Sequence, residues 1–321
     1  MRLFRHTTDL PADARGAVLA LGNFDGVHRG HQAVIGQAQR IARDLGAPTG
    51  VLSFEPHPRS LFRPGDPPFR LSPFRVKARH VEALGVDLMV VCHFDDRFLH
   101  KSAEDFVEED LVRGLGIRHA VCGADFLFGH RRAGDVALLE RLGARHGFGV
   151  TAVGPVADPQ GGVYSSTRVR DALLAGNPRE AAHVLGRAWE IEGRVEHGDK
   201  RGRTIGFPTA NLELGEYLRP AFGVYAVRAG VDHGPATVWH DGVANLGRRP
   251  TVGGLAERLE VHLFDFAGDL YGQHLRVQLI EFVRPERKFS GLEELKAQIG
   301  LDADAARLAL SRPAAARPTA E

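Results

Sequence analysis

The sequence predicts two domains, a parallel, doubly wound α/β sheet followed by a small antiparallel β domain that ends in a helix. Three observations carry this. Up to residue 153, apolar strand-like runs alternate with helically spaced segments, the pattern of repeated βα units. From Trp189 onward, short β-rich segments separated by glycines and prolines take over, and no long helix interrupts them before Ser290. A chain of 321 residues is also long enough to bury two cores.

The first strand is Ala17-Val18-Leu19-Ala20-Leu21, apolar throughout, as a strand covered on both faces must be. A helix follows, with apolar residues at Val34, Ile35, Ala38, Ile41, Ala42 and Leu45, and Gly46 as its stop. Between them runs Gly22-Asn23-Phe24-Asp25-Gly26-Val27-His28-Arg29-Gly30-His31. Free backbone N–H groups and the helix dipole both favour an anion at such a turn. Its glycines permit close approach, and His28 and His31 can donate to phosphate oxygens. The turn is neither a Walker A loop nor Gly-x-Gly-x-x-Gly. A zinc site is the weaker reading, because no Cys or carboxylate cluster lies nearby at ligand spacing.

The alternation continues with a strand at 49–54, ending in the turn Glu55-Pro56-His57-Pro58. A helix starts at Ser72 with Pro73 in its first turn and stops at Gly85. Strand 86–94 is followed by a helix capped by Ser102, with Glu104 and Asp105 in its acidic first turn. Strand 120–122 opens into Gly123-Ala124-Asp125-Phe126-Leu127-Phe128-Gly129, and helix 135–146 and strand 149–153 follow. Ligands of such sheets bind beyond the carboxyl ends of strands, where the histidine turn, Glu55–Pro58 and Gly123–Gly129 all lie. Tyr164-Ser165-Ser166-Thr167-Arg168-Val169-Arg170 then leads into a helix. Alone this is a hydroxyl N-cap with surface arginines; beside the histidine turn it reads as a second phosphate grip. Helix 178–185 ends at Gly186.

In the second half, strands are expected at 189–195, 223–228, 237–244, 259–266 and 275–282, forming a small barrel or sandwich. Ser290 and Glu293 form a capping box for a helix through Ile299, a second helical piece covers 302–310, and an Ala/Pro tail begins at Arg312. Within the β domain, Gly198-Asp199-Lys200-Arg201-Gly202-Arg203-Thr204-Ile205-Gly206-Phe207-Pro208-Thr209-Ala210-Asn211 combines glycines and cations suited to phosphate. Thr209 and Asn211 offer hard oxygen ligands for Mg²⁺. Glu260 alternates with apolar Leu259 and Val261, and is either a surface carboxylate or a general base for a hydroxyl.

Bulk properties narrow the partners. A formal net charge of +1 leaves no electrostatic footprint for nucleic acid. Cys92 and Cys122 sit in apolar runs, as buried reduced thiols do. Met1–Thr7 lacks the apolar run of a signal peptide and no segment reaches membrane-spanning length, so the expectation is a cytoplasmic protein with no membrane partner.

Both halves together resemble the bacterial bifunctional riboflavin kinase/FMN adenylyltransferase family (prokaryotic FAD synthetase), from about Val18 to about Gln298. The resemblance is carried by Leu21–His31, Phe54–Pro58, Gly123–Gly129, Ser165–Arg170, Gly198–Asn211, Gly223-Val224-Tyr225, Asn245-Leu246-Gly247-Arg248-Arg249-Pro250-Thr251, Glu260–Phe266 and Arg284–Phe289, in that order. It implies a Rossmann-like nucleotidyltransferase domain over 1–186, a riboflavin kinase β-barrel over 187–311, and a tail at 312–321. The first would adenylylate FMN to FAD and the second would phosphorylate riboflavin to FMN, each with ATP and Mg²⁺. By the same resemblance, Gly22, Asn23, Phe24, Gly26, His28 and His31 would hold ATP, with Ser165, Ser166, Thr167 and Arg170 gripping from the opposite side. Pro56, His57, Pro58, Asp125 and Phe128 would line the flavin and adenine cleft. In the kinase domain Gly198, Lys200, Gly202 and Gly206 would hold phosphate, Thr209 and Asn211 the metal, and Glu260 would be the base.

Overall fold

A computed structural model describes residues 1–196, 206–251 and 254–312. The chain forms two compact units, residues 1–67 with 72–165, and 68–71 with 166 onward.

The first unit is built on a six-stranded, wholly parallel sheet of β1 (Arg2–Phe4), β2 (Val18–Leu21), β3 (Thr49–Glu55), β4 (Leu88–His93), β5 (His119–Gly123) and β6 (Gly149–Val153). Its order is β1-β4-β3-β2-β5-β6. Alternate side chains of β2 enter two different cores, Leu19 and Leu21 one, Val18 and Ala20 the other. That explains why the strand carries no polar residue. Helices α1 (Arg29–Leu45), α2 (Phe74–Glu82) and α3 (Val136–His146) supply the amphipathic cover. Winding proceeds from β2 to one side through β3 and β4, then resumes on the other side at β5. The switch point therefore falls at the carboxyl end of β2, where a crevice opens in such sheets.

Short elements differ from expectation, with unforeseen helical turns at Pro58–Phe62 and Asp96–Leu99. Strand β1 joins the sheet edge beside β4, although three residues are too few to show a period. The helix after Ser102 becomes a π-helix over Phe106–Gly114.

In the second unit, α4 (Ser166–Leu174) and α5 (Pro178–Leu185) precede the barrel strands, and by contact these helices cluster with the barrel although the expected division at 186 sets them before it. Val169 and Leu173 of α4 are buried, whereas Leu174 is exposed. The strands are β7 (Trp189–Arg194), β8 (Ala210–Glu213), β9 (Gly223–Val231), β10 (His240–Thr251), β11 (Gly254–Leu263) and β12 (His274–Pro285). All pair antiparallel in the order β7-β12-β9-β10-β11-β8. A bridge from Glu196 to Asn211 brings the two edges together, so the sheet is a nearly closed barrel rather than a sandwich. Ile191, Leu246, Leu259, Val277 and Leu279 are fully buried.

Helix α6 (Leu292–Ser311) packs Ala306 and Leu310 against Val224, Ala226 and Val243 on the outer face of the barrel. It is one continuous helix through Gly300, not two pieces. The expected capping box at Ser290 and Glu293 is also corrected. The N-cap is Gly291, so Glu294 occupies the third helical position, and its carboxylate accepts from Ser290 N at 2.8 Å and Ser290 Oγ at 2.7 Å.

Candidate active sites

The histidine turn lies at the switch point of the first sheet, between β2 and α1. His28 is the N-cap of α1, and its Nδ1 accepts from His31 N at 3.3 Å. An Nδ1 that accepts leaves the proton of the neutral ring on Nε2, so His28 presents Nε2–H as a donor. The His28 and His31 rings stack with centroids 3.6 Å apart, and Phe24 meets His31 edge-on at 5.2 Å. His28 is 6% exposed and His31 half-buried. Gly30 is required here because a Cβ would stand 2.9 Å from the Tyr164 carbonyl oxygen and 3.1 Å from the His28 ring. The same contact brings the segment ending in Tyr164 and Ser165 against the start of α1, and Arg29 stands 5.9 Å over the Tyr164 ring.

Phe24, Gly26 and Val27 hold positive φ of 50°, 84° and 43°. Such a turn persists only when its surroundings over-determine it. Ser72 supplies part of that, its Oγ accepting from Gly26 N at 2.8 Å while its own N–H donates to Asp25 Oδ1 at 3.0 Å. Lys77 adds to it, donating to the Asn23 carbonyl at 3.1 Å, as does Gln32, whose Nε2 donates to the Val27 carbonyl at 2.9 Å. Gly22 and the exposed Asn23 form the outer lip of the turn.

The other strand ends flank this point. At the end of β3, His57 caps a short helix, Nδ1 accepting from Arg59 N at 3.1 Å, with Pro56 exposed and Pro58 at the first helical position. After β5, Asp125 is exposed, while Phe128 is buried and stacks on Phe126 at 5.5 Å. Phe54, Phe94, Phe98, Phe106 and Phe128 make a connected aromatic wall under these loops. Ser166, Thr167 and Arg170 occupy the first two turns of α4 in the second unit. There Arg170 Nε donates to the Phe69 carbonyl at 3.0 Å, and Arg168 pairs with Glu180 at 2.7 Å.

In the barrel, Asn211 of β8 is the direct cross-strand partner of Glu260 on β11, and Glu260 is the partner of Asn245 on β10. Directly opposed residues share a face. The three therefore form a polar row on the outer surface, the side away from buried Leu259 and Val261. Asn211 is 8% exposed and its Nδ2 donates to the Thr209 carbonyl at 3.5 Å. Gly247, further along the Asn245 face, is shaped by its neighbours, since a Cβ there would fall 2.2 Å from Glu286 Oε1 and 2.9 Å from Asn245 Nδ2. Thr209 also borders an open pocket at the barrel mouth, with Val195, Pro208, Val261, Leu263 and Tyr271 around it. Gly206 is exposed at the base of its loop; Gly198, Lys200 and Gly202 lie outside the described residues.

Sequence reasoning picked out neither Asn245 nor Lys77 as a site residue. The polar positions Asn245 and Gly247 alternating with Ala244 and Leu246 were a signal for the first. Nothing local marked the second.

A helix start that attracts anions in one unit, and oxygen donors beside a carboxylate in the other, suit a transferase that moves phosphate-borne groups. The FAD synthetase family matches residues 10–168 and the riboflavin kinase family residues 185–310. The bifunctional riboflavin kinase/FMN adenylyltransferase of Escherichia coli K12 is 44% identical, covering 98% of this chain and 100% of its own length. Those of Pseudomonas fluorescens and Bacillus subtilis 168 are 44% and 39% identical over 99% and 89% of this chain, and 100% and 90% of their own. A solved structure described as a macrolide-efflux protein of Streptococcus pneumoniae shares the fold at 31% identity and a TM-score of 0.83, covering 95% of this chain and 98% of that one. The chain belongs to the bifunctional riboflavin kinase/FMN adenylyltransferase family. Among the described residues, no helix is long and apolar enough to cross a membrane.

Proposed function

We propose that the two reactions of the family divide between the two sites, FMN adenylylation at the histidine turn and riboflavin phosphorylation at the Asn211–Glu260–Asn245 row. The observation that carries this is chemical contrast. The turn in the first unit offers donors, and its own carboxylate, Asp25, is buried and accepts from Ser72, while the barrel row centres on a carboxylate.

The contrast fits the nucleophiles. In adenylyl transfer the FMN phosphate is already an anion and needs no base. The chain's task is to align it with the α-phosphorus of ATP and neutralise charge on the departing pyrophosphate. His28 Nε2–H and the start of α1 serve that charge. The aromatic wall and the Pro56–Pro58 and Gly123–Gly129 loops take the rings. In the kinase step the nucleophile is the neutral ribityl hydroxyl. Glu260 accepts its proton as the bond to the γ-phosphorus forms. Asn245 is the direct cross-strand neighbour of Glu260 on the same face.

Thr209, just before β8, and Asn211, within it, carry a hydroxyl and an amide oxygen, a donor set suited to Mg²⁺ that keeps waters and nucleotide oxygens as its other ligands. Bound there with ATP, the ion would screen the phosphate charge. The reliance on ATP and the free buried thiols Cys92 and Cys122 support a cytoplasmic setting.

The test is purified chain with FMN and ATP, or with riboflavin and ATP, for the variants His28→Ala/His31→Ala and Glu260→Gln. The first is expected to lose FAD formation alone and the second FMN formation alone. Loss of both activities in either folded variant would overturn the division.

A further inference from the structure

Lys77, on α2, has a side chain wholly removed from solvent. An ammonium has three N–H donors. Here Nζ lies 3.1 Å from the Asn23 carbonyl, 2.9 Å from Ser53 Oγ and 2.6 Å from Glu55 Oε1. Ser53 Oγ in turn donates to the same Asn23 carbonyl at 3.1 Å. One buried charge thus ties together the carboxyl ends of β2 and β3, the first leading into the histidine turn and the second into Pro56–Pro58.

Stability does not account for this arrangement. Removing an ion pair from water costs several kcal/mol per ion, and an apolar side chain of similar volume often does as well. What the ammonium does that a methionine cannot is to fix a carbonyl. The peptide it holds is the one preceding Phe24, where the backbone enters its run of positive φ.

We propose that Lys77 is a positioning residue for adenylyl transfer. It fixes the Asn23 peptide, and with it the phosphate-binding turn, in register with the Glu55–Pro56 loop. Ser72 latches the middle of the turn at Asp25 and Gly26, so the turn is held at its entry and again two residues on. This inference rests on the assignment of the histidine turn to adenylyl transfer.

The test uses the full chain carrying Lys77→Met, alone and with Glu55→Gln, and measures both reactions in each preparation. Riboflavin phosphorylation serves as the internal control and is expected to stay within about twofold of wild type, since its row belongs to the other unit with a core of its own. FMN adenylylation is expected to fall ~100-fold in kcat/KM in both variants, mainly through a raised KM for ATP, the loss expected of a misplacement near 1 Å. The double variant leaves no orphaned carboxylate, so its thermal stability should recover while adenylylation does not. Recovery of both together would make Lys77 a balancing charge and overturn the proposal. Should Lys77→Met fail to fold, Lys77→Arg keeps the charge with altered donor geometry. It is expected to raise the KM for ATP ~10-fold, and an unchanged KM would overturn the proposal. His28→Ala, measured alongside, separates the two readings, because full adenylylation in that variant would defeat the site assignment itself.

Discussion

Asn211 and Glu260 face one another directly across the β8–β11 ladder, which places an amide and a carboxylate side by side on the outer surface of the barrel. Opposed cross-strand residues cannot be separated without breaking the register of the sheet. The expectation follows that Glu260→Gln, nearly equal in shape, lowers riboflavin phosphorylation by ~100- to 10,000-fold, the usual worth of a general base. Steady-state assays with riboflavin should show this in kcat, while FAD formation from supplied FMN is unchanged. A kinase rate near wild type would make Glu260 a surface carboxylate only.

Gly247 tests the same row from its neighbour. Gly247→Ala drives a methyl group toward Glu286 and Asn245. Glu286 and the Asn245 amide must both give way, and moving Asn245 disturbs the row beside Glu260, so the kinase rate is expected to fall ~10-fold through misplacement. Adenylylation of added FMN should not change. Equal loss of both reactions would point to global destabilisation.

At the other site, Gly30→Ala presses on the Tyr164 carbonyl and the His28 ring together. Backbone cannot yield as a flexible side chain does, so the His28 cap is displaced. FMN adenylylation should drop ~100-fold or more, comparable to loss of a donor at a developing charge, with riboflavin phosphorylation retained. The two rates measured on one preparation decide it.

The two thiols give a pH prediction. Burial, with a smaller contribution from Asp110, raises the Cys92 thiol far above its ordinary value. Burial, then Glu140 and Asp125, raises Cys122 from 9.0 to about 11. The thiolate is the reactive form, so neither residue should react with a disulfide reagent at pH 8 until the chain unfolds. The folded state prefers the protonated thiol, so the stability that Cys122 contributes in this form is full below pH 9 and is lost as pH climbs through about 11. Prompt labelling of native protein at pH 8 would contradict this.

Much of this architecture was legible in the sequence because periodicity reports burial. The unbroken apolar run of β2, the spacing of α1 and the Gly46 stop all reappear as expected. Short or edge elements were not legible, since β1 and β8 have three and four residues and sit beside strongly biased loops. The length of β10, through the Asn245–Thr251 stretch, was hidden by its glycines and proline. At the candidate sites, local chemistry singled out His28, His31 and Glu260. Asn245 and Lys77 became visible only in three dimensions, because register brings one to Glu260 and burial turns the other toward Asn23. No one-dimensional pattern distinguishes a buried lysine from a solvated one on an amphipathic helix.

The central claim is that one chain carries two independent sites, the histidine turn acting on FMN and the Glu260 row on riboflavin. Mixing tests it most directly. His28→Ala/His31→Ala chain and Glu260→Gln chain are each incubated with riboflavin, ATP and Mg²⁺, then combined, and the flavins are separated by chromatography. The account predicts FMN alone from the first, neither product from the second, and FAD once the two are mixed. A mixture that stops at FMN, while wild-type chain under the same conditions proceeds to FAD, would contradict it.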